Sequence, residues 1–230
     1  MRHRLIPIAL GLPLIAGGGA WAQDSPVVVE LFTSQGCASC PPADRMLADL
    51  VGHPDVLPLA LHVDYWDYIG WSDTFADPAY TIRQKGYARA GGVQTIYTPQ
   101  LVVNGIDHVV GAKPMRLMDL IEAHGAIPDN VDLDVVRENG ALRIEARAQG
   151  PGGPYVVQVV AYDPMAEVAI PRGENSGKVM TYVNIVTDWE IAGEWDGAEP
   201  IRLEIPLEGP GAVLVQQTGH GEIVAAARVD

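Results

Sequence analysis

The stretch VVVELFTSQGCASCPPADRML, residues 27 to 47, decides which fold this chain can adopt. Its first part is a mostly apolar run rich in β-branched residues, which predicts a strand over residues 26 to 32 that is covered on both faces. Its last part continues into apolar residues at helical spacing, which predicts a helix over residues 43 to 51. Cys37 and Cys40 therefore lie between a buried strand and a helix.

The placement of these two cysteines favours thiol chemistry over a purely structural bond. They are the only cysteines of the chain, and closing a loop this short adds roughly 2 kcal/mol of stability in the chain-entropy model. Free amide groups and the helix dipole favour negative charge at a helix N-terminus, so a thiolate forms more easily there. We predict that Cys37 is the more exposed, attacking thiol and that Cys40 is the resolving thiol.

The helix that follows the cysteines has two possible starts. If Cys37 is the N-cap, Pro41 and Pro42 fall in the second turn, where each lacks the N–H that the helix needs and kinks it. If Cys40 is the N-cap, Pro41 takes the favoured first helical position, and the dipole acts most strongly on Cys40. Both starts are compatible with the sequence.

Two remote features fit a redox site around the cysteines. Thr98-Pro99 comes directly before a predicted strand, where a proline fits a tight bend with a cis peptide bond; an ordinary loop proline is the alternative. Glu30 lies inside the first strand, seven residues before Cys37. We expect either that Glu30 is desolvated and exchanges protons with the buried thiol, or that it ends the strand and faces solvent.

The pattern of the chain changes near residues 127 to 130. Before this point strands and helices alternate, with further strands predicted at 55–66, 100–105 and 107–111 and helices within 72–90 and at 114–125. After this point the helical pattern disappears, and about seven short segments separated by Gly and Pro predict a β-sandwich. The sequence thus predicts an α/β domain followed by an all-β domain.

Three motifs, ELFTSQGCASCPPAD (30–44), YTPQLVVNG (97–105) and RGENSGK (172–178), together resemble the thioredoxin superfamily. More narrowly, they resemble a family of secreted, thioredoxin-like bacterial proteins catalogued as a domain of unknown function, number 1223. The resemblance implies an α/β thioredoxin-like domain over residues 23–128, followed by an all-β sandwich domain over residues 129–230. It implies no proven activity.

The wider superfamily implies roles for individual residues of this chain. Cys37 and Cys40 would be the redox pair, Pro99 the cis-proline beside them, and Thr98 the residue whose backbone meets the substrate. The run from Glu30 also resembles the Glu-Phe-Phe that precedes the active site in periplasmic disulfide oxidases, with one residue more before the first cysteine. Ala38-Ser39 between the cysteines differ from the pairs of well-known members, so they give no guide to the reduction potential.

An aromatic cluster and a glycine-rich loop are further candidates. Tyr65 and Trp66 begin a dense run of aromatic residues, which we expect either to line a groove where partner peptides dock or to pack an inserted segment against the sheet. The loop at 172–178 has three residues between Gly173 and Gly177, where a phosphate loop has four. It is interpreted as a polar loop, and a position facing the other domain is left open.

The first 22 residues have the form of a secretory signal peptide. Basic residues at the start precede a short apolar segment, and Ala20-Trp21-Ala22 forms a small-x-small cleavage site before Gln23. We therefore expect a periplasmic or secreted protein that begins at Gln23 and is not inserted in the membrane after cleavage.

Charge and cysteine spacing limit the classes of partner. The formal net charge of −14 repels nucleic acid phosphates, so we expect no nucleic acid partner. The predicted function is a thiol–disulfide oxidoreductase that acts on protein thiols or disulfides, takes electrons from a redox partner protein and needs no organic cofactor. The alternative is a non-catalytic binding module, or a copper(I) carrier that uses the same cysteines.

Overall fold

The computed structural model describes residues 25–229, so the predicted signal peptide lies outside the described residues. The elements in chain order are β1 (Val27–Thr33), α1 (Pro41–Ala48), β2 (Val56–His62), α2 (Pro78–Ala90), β3 (Gln100–Val103), β4 (Asp107–Val110), α3 (Pro114–Gly125), β5 (Val131–Glu138), β6 (Ala141–Ala148), β7 (Tyr155–Ala169), β8 (Val179–Trp195), β9 (Ile201–Pro206), β10 (Gly211–Gln217) and β11 (Ile223–Val229). Within residues 25–229, no helix has the length and apolarity to cross a membrane.

The first half of the chain builds a four-stranded arrangement in the order β2-β1-β3-β4. β1 and β2 are parallel, while β3 is antiparallel to both β1 and β4. Every residue of β1 and of β2 is buried, because helices and other strands cover both faces of the sheet at this point. This explains why both strands are apolar runs rather than alternating patterns.

Alternate residues of β1 serve different layers. Val29 and Leu31 pack with α1 and α3 on one face of the sheet. Val28 and Phe32 pack with Tyr80 of α2 on the opposite face. The side chains of a strand alternate between the two faces, so neighbours in the sequence of β1 reach different surroundings.

The strands after residue 130 are divided between two sheets. Four of them extend the first sheet, giving the eight-stranded order β11-β10-β7-β8-β2-β1-β3-β4, in which β8 pairs with β2 through Ile185 and Ala60. The remaining three form a small antiparallel sheet, β5-β6-β9. Apolar side chains of the small sheet, such as Leu142 and Ile144, pack against Val157 and Val213 of the large one.

The structure confirms an α/β fold, which contains one large mixed sheet. A separate β-sandwich domain stays a prediction, because four of the later strands continue the first sheet. Sequence periodicity could not predict the pairing of β8 with β2, because the pattern of a strand carries no information about which strand lies beside it. The predicted boundary at residue 128 falls between α3 and β5 and stays a prediction.

Candidate functional site

The two cysteines form a disulfide in the loop between β1 and α1. Cys40 is the N-cap of α1 and Pro41 is its first residue, which is the second of the two predicted starts. The backbone N–H groups of Ala43 and Asp44 donate to the carbonyl oxygen of Cys40, at 2.8 and 3.1 Å. The positive end of the helix dipole therefore lies closest to Cys40.

The predicted order of exposure of the two cysteines holds only by a small margin. Cys37 is 2% exposed and Cys40 is fully buried, whereas Ala38 and Ser39 between them are exposed. The Sγ of Cys37 lies 3.4 Å from the Oγ of Ser39. The disulfide therefore lies just beneath the surface, under a short exposed turn.

The tip of the hairpin formed by β7 and β8, residues 170–178, lies against this loop. Asn175 is fully buried, and its Nδ2 donates to the carbonyl oxygens of Gln35 at 2.9 Å and of Cys37 at 3.0 Å. Lys178 Nζ donates to the side-chain oxygen of Asn175 at 2.7 Å and thereby orients the amide. The glycine-rich motif thus belongs to the cysteine site, a role that its sequence did not indicate.

Gly173 allows the hairpin tip to approach the aromatic segment closely. Its φ of +79° is one that other residues rarely adopt, and a Cβ there would lie 3.2 Å from the Cβ of Trp71. Trp71 in turn donates from Nε1 to Oε1 of Gln35 at 2.8 Å. The aromatic segment therefore links the hairpin tip to the loop that carries Cys37.

Thr98 and Pro99 lie at the same edge of the sheet as the cysteines. Gln100, the first residue of β3, pairs with Phe32 near the end of β1, so Pro99 comes just beyond the end of β1 where the cysteine loop begins. The Thr98–Pro99 peptide bond is cis, as predicted. Pro99 is buried and Thr98 is half-buried.

Trp66 connects this bend with the cysteine loop. Its Nε1 donates to Oγ1 of Thr98 at 2.7 Å, and a Cβ on Gly36 would lie 3.3 Å from the Cβ of Trp66. Its ring stacks on Tyr68, which is 79% exposed. The structure thus brings Trp66 and Thr98 together beside the residue that precedes Cys37.

The hydroxyl of Tyr65 interacts with Gln84 of α2 and with the side chain of Thr98. Its hydroxyl donates to Oε1 of Gln84 in α2 at 3.2 Å. Burial raises the pKa of Tyr65 to about 12, so the hydroxyl stays protonated near neutral pH. Tyr65 therefore joins the aromatic segment to α2, which fits the packing role given as the alternative for this cluster.

Glu30 is not brought together with the cysteines. It is fully buried on the α2 face of the sheet, where Arg83 donates to its two carboxylate oxygens at 2.6 and 3.1 Å and the Tyr87 hydroxyl donates to it as well. The alternative of a solvent-facing glutamate is wrong, because the side chain is enclosed. Its placement gives no support to proton exchange with a thiol, since α1 and the cysteines lie across the sheet.

A different acid lies on the cysteine side of the sheet. Asp44 of α1 is 5% exposed, and its Oδ1 accepts a hydrogen bond from the Thr33 hydroxyl at 2.6 Å. Its Oδ2 is buried and has no hydrogen-bond partner among the described residues. Burial raises the pKa of Asp44 to about 6, and nearby Asp73 adds to the rise, whereas Thr33 and His62 oppose it.

His62 and Asp73 lie beside this acid. His62 is paired with Thr33 in the parallel ladder of β1 and β2, so both side chains face α1. The Nδ1 of His62 lies 2.7 Å from Oδ2 of Asp73, and the opposite ring nitrogen, Nε2, is buried without a partner among the described residues. Asp73 also accepts from the backbone amides of Gln35 and Phe75, at 2.7 and 2.9 Å.

The sequence is recognised along most of its length by one family model. Residues 28–218 match the model described as a protein of unknown function, DUF1223. The chain belongs to the DUF1223 family. A crystal structure of a protein from Agrobacterium tumefaciens is similar to this chain, with 36% identity and a TM-score of 0.77 over 90% of this chain and 96% of that one. No curated protein matches the sequence.

The site of this DUF1223 chain contains residues that sequence reasoning did not select: Asp44, His62, Asp73 and Asn175. One signal was available, because Asp44 follows Cys40 by four residues and therefore lies on the same helix face. His62 and Asp73 had no such signal, since only sheet pairing and loop folding bring them near. Within residues 25–229, no cluster of three or more His, Cys, Asp and Glu side chains is arranged to hold a metal ion.

Proposed function

We propose that this chain is an exported thiol–disulfide oxidoreductase of the thioredoxin superfamily that acts on protein substrates. The observation that carries the proposal is a two-residue-spaced disulfide at the N-terminus of α1, directly after the central strand β1. Support comes from the strand order β2-β1-β3-β4, with α1 and α3 on one face and α2 on the other. This layout is the one expected of a thioredoxin-like domain, and the β-rich half extends its sheet.

The proposed chemistry is an exchange between the cysteine pair and two substrate thiols. In the oxidising direction a substrate thiolate attacks Sγ of Cys37, the bond between Cys37 and Cys40 breaks, and Cys40 leaves as a thiolate. A second substrate thiolate then attacks the substrate sulfur of the mixed disulfide and releases Cys37. Two electrons pass from the substrate to the pair, and the reverse sequence reduces a substrate disulfide.

The helix N-terminus supplies the electrostatic part of the proposal. Cys40 caps α1, so the dipole stabilises the negative charge that forms on its sulfur when it leaves. We assign the substrate contact to Cys37, because Cys37 keeps 2% exposure whereas Cys40 is fully buried. The protein substrate takes its place after the hairpin tip at Asn175 releases the two carbonyl oxygens that it holds.

The proposed substrate-binding residues lie at the edge where β1 ends. Thr98 offers its backbone to an extended partner segment, as in recognition by strand addition, and Pro99 shapes the bend beside it. Trp66 and exposed Tyr68 form an aromatic surface next to this edge. Tyr65 supports that surface from below through its bond to α2.

A redox titration of the purified mature chain tests the proposed activity. We expect a reversible couple within the range of known oxidoreductases, about −120 to −270 mV. A Cys40→Ser variant should capture mixed disulfides on Cys37 when it is produced in cells, whereas a Cys37→Ser variant should capture far fewer. Recovery of no mixed disulfide with either variant would defeat the proposal.

A non-catalytic module with a permanent disulfide is the second candidate. It is favoured by the near-complete burial of both cysteines, at 2% and 0% exposure. In that case the reduction potential should lie below about −300 mV, as in structural disulfides of secreted proteins. Removal of the Cys37–Cys40 bond should then lower the free energy of unfolding, and the intact chain should catalyse no thiol–disulfide exchange.

The cellular location is part of the proposal. An exported chain fits a disulfide that persists, because oxidising compartments keep such bonds closed. We propose cleavage of the signal peptide before Gln23, giving a periplasmic or secreted protein. Intact-mass measurement of the exported protein tests this, and a retained Met1 would contradict it.

A further inference from the structure

Asp44 lies one helical turn after Cys40, on the same face of α1. The two residues are four apart, and the backbone N–H of Asp44 donates to the carbonyl oxygen of Cys40 at 3.1 Å. Residues at this spacing are neighbours on a helix surface, with their Cβ atoms about 5–6 Å apart. Both are buried, so the carboxyl group and the sulfur share an interior that water does not freely enter.

The carboxyl group of Asp44 is only half satisfied. Oδ1 accepts from the Thr33 hydroxyl, while Oδ2 is buried without a partner among the described residues. Such a group is expensive to keep in a protein interior, and its presence calls for a physical reason. A carboxylate oxygen with a vacant lone pair is a proton acceptor.

His62 offers the complementary atom in the same pocket. Its Nδ1 lies 2.7 Å from Asp73 Oδ2, and because Asp73 already accepts two backbone N–H bonds, the ring donates from Nδ1. The remaining nitrogen, Nε2, is therefore the basic one, and it is buried without a partner among the described residues.

The other polar and titratable groups around Asp44 come from β1, β2, the loop after β2, β8 and its own helix. Thr33 and His62 face it from β1 and β2, Asp73 from the following loop and Tyr182 from β8, while Arg45 lies on its own helix. Tyr182 does not compete for protons, because burial and the nearby acids Asp44 and Asp73 raise its pKa far above neutral. Asp44 and the hydrogen-bonded His62–Asp73 pair thus remain as the groups of this pocket that can pass a proton.

We propose that Asp44 takes the proton of the Cys40 thiol when Cys40 attacks a mixed disulfide on Cys37, and that the His62–Asp73 pair exchanges this proton with Asp44. The inference rests on the proposed oxidoreductase function, whose resolving step it describes. Asp44 does not contact the substrate; its role is to accept and return the proton of the Cys40 thiol.

The step balances in both directions. As Cys40 attacks, its S–H proton moves to the Asp44 carboxylate, the new bond between Cys40 and Cys37 forms, and the substrate leaves as a thiolate that carries the electron pair. In reverse, a substrate thiolate attacks Cys37, the disulfide breaks, and Cys40 leaves as a thiolate, which then takes the proton of the Asp44 carboxylic acid. The rise of the Asp44 pKa to about 6 suits this exchange, since the acid then titrates close to neutral pH.

The resolving step can be timed separately with dithiobis(nitrobenzoate), a coloured disulfide reagent. The reduced chain should release one nitrothiobenzoate as Cys37 attacks the reagent, and a second as Cys40 closes the disulfide. The first phase depends on the reagent concentration and the second does not. Asp44→Asn is expected to slow the second phase on the order of 100-fold near neutral pH and to leave the first phase within about twofold.

The test uses a matched control variant and a pH profile of the unmodified chain. Asp49→Asn removes an exposed carboxyl group at the end of the same helix and should leave both phases unchanged. In the unmodified chain the second phase should follow a titration near that of Asp44 rather than that of a free thiol, whose pKa is about 8.5. This profile decides the matter if Asp44→Asn does not fold.

Two results would overturn the inference: a second phase of Asp44→Asn within about threefold of the unmodified rate, or a profile of the unmodified chain that follows thiol ionisation alone. Failure of the proposed function looks different. In that case the Cys40→Ser variant captures no cellular protein, while the two reagent phases and their dependence on Asp44 persist.

Discussion

Two buried acids on opposite faces of the sheet are treated in opposite ways by this fold. Glu30, on the α2 face, has both oxygens held by Arg83 and a further bond from Tyr87. Asp44, on the α1 face, has one bond from Thr33 and one oxygen without a partner in the described part of the chain. The difference teaches that burial alone does not define the role of an acid, because a compensated carboxylate and an uncompensated one respond to pH and to mutation in opposite ways.

The surroundings of Arg83 explain why the Glu30 side is structural. The guanidinium also donates to Gln158 of β7 and Gln216 of β10, each at 3.3 Å, and lies 3.8 Å from the ring centroid of Trp189. One cation thus ties α2 and β1 to strands from the second half of the chain. This network joins the two halves of the large sheet.

The largest change in stability is expected when the ion pair of the fully hydrogen-bonded acid, Glu30, is broken. Arg83→Met leaves the Glu30 carboxylate buried without its cation, and we expect the free energy of unfolding to fall by about 3–5 kcal/mol. Urea denaturation measures the change. The double variant with Glu30→Leu should recover most of the loss, because it removes both charges together; equal losses in the single and double variants would contradict the role given to the ion pair.

The next largest effect is expected at Asp44, whose replacement should increase the stability of the chain rather than decrease it. The native pKa of Asp44, about 6, exceeds its unfolded value of 3.8, so the native state binds more protons between these values and loses stability as the pH rises through them. Asp44→Asn should therefore raise the free energy of unfolding near neutral pH by roughly 2–3 kcal/mol, with little effect near pH 4.

Urea titrations at several pH values, with Asp49→Asn as the control for loss of a charge on the same helix, measure this gain. Asp49 is exposed, so its variant should follow the unmodified chain at every pH. A loss of stability in Asp44→Asn at neutral pH would show that the carboxylate is a structural group like Glu30.

A smaller effect concerns the cover of the cysteine site. Asn175→Ala leaves the buried carbonyl oxygens of Gln35 and Cys37 without their side-chain donor, and we expect a loss of about 1–2 kcal/mol. Reduction of the disulfide by dithiothreitol should also become faster, because the hairpin tip no longer holds the loop. Glu174→Ala, an exposed neighbour, serves as the control. An unchanged reduction rate would mean that the tip does not limit access.

The smallest effect on stability is expected at an exposed ion pair, with which the effects at the two buried acids can be compared. Glu145 accepts from Arg202 at 2.8 Å on the small sheet, and these bonds lower the pKa of Glu145. Both side chains are open to solvent, which screens the pair. Glu145→Gln should leave the denaturation midpoint unchanged, and a clear loss would indicate that the small sheet depends on this contact.

Local sequence patterns predicted most of the elements. The apolar run of β1, the Asn-Gly turn between β3 and β4, and the proline and glycine at the ends of α3 identified these segments, because such signals act within a few residues. The helix start at Cys40 was one of two predicted alternatives, since two adjacent prolines allow either. Pairing of β8 with β2 escaped prediction, because nothing local links Ile185 to Ala60.

The sequence by itself determined that two cysteines stand between a buried strand and a helix, because that depends only on neighbours along the chain. Only the tertiary structure decided which buried acid lies on the cysteine side of the sheet. Strand side chains alternate between faces, so Glu30 falls on the α2 side, while the helical turn from Cys40 carries Asp44 into the pocket of His62. The pocket itself needs β1, β2, α1 and the following loop together, and no single segment encodes it.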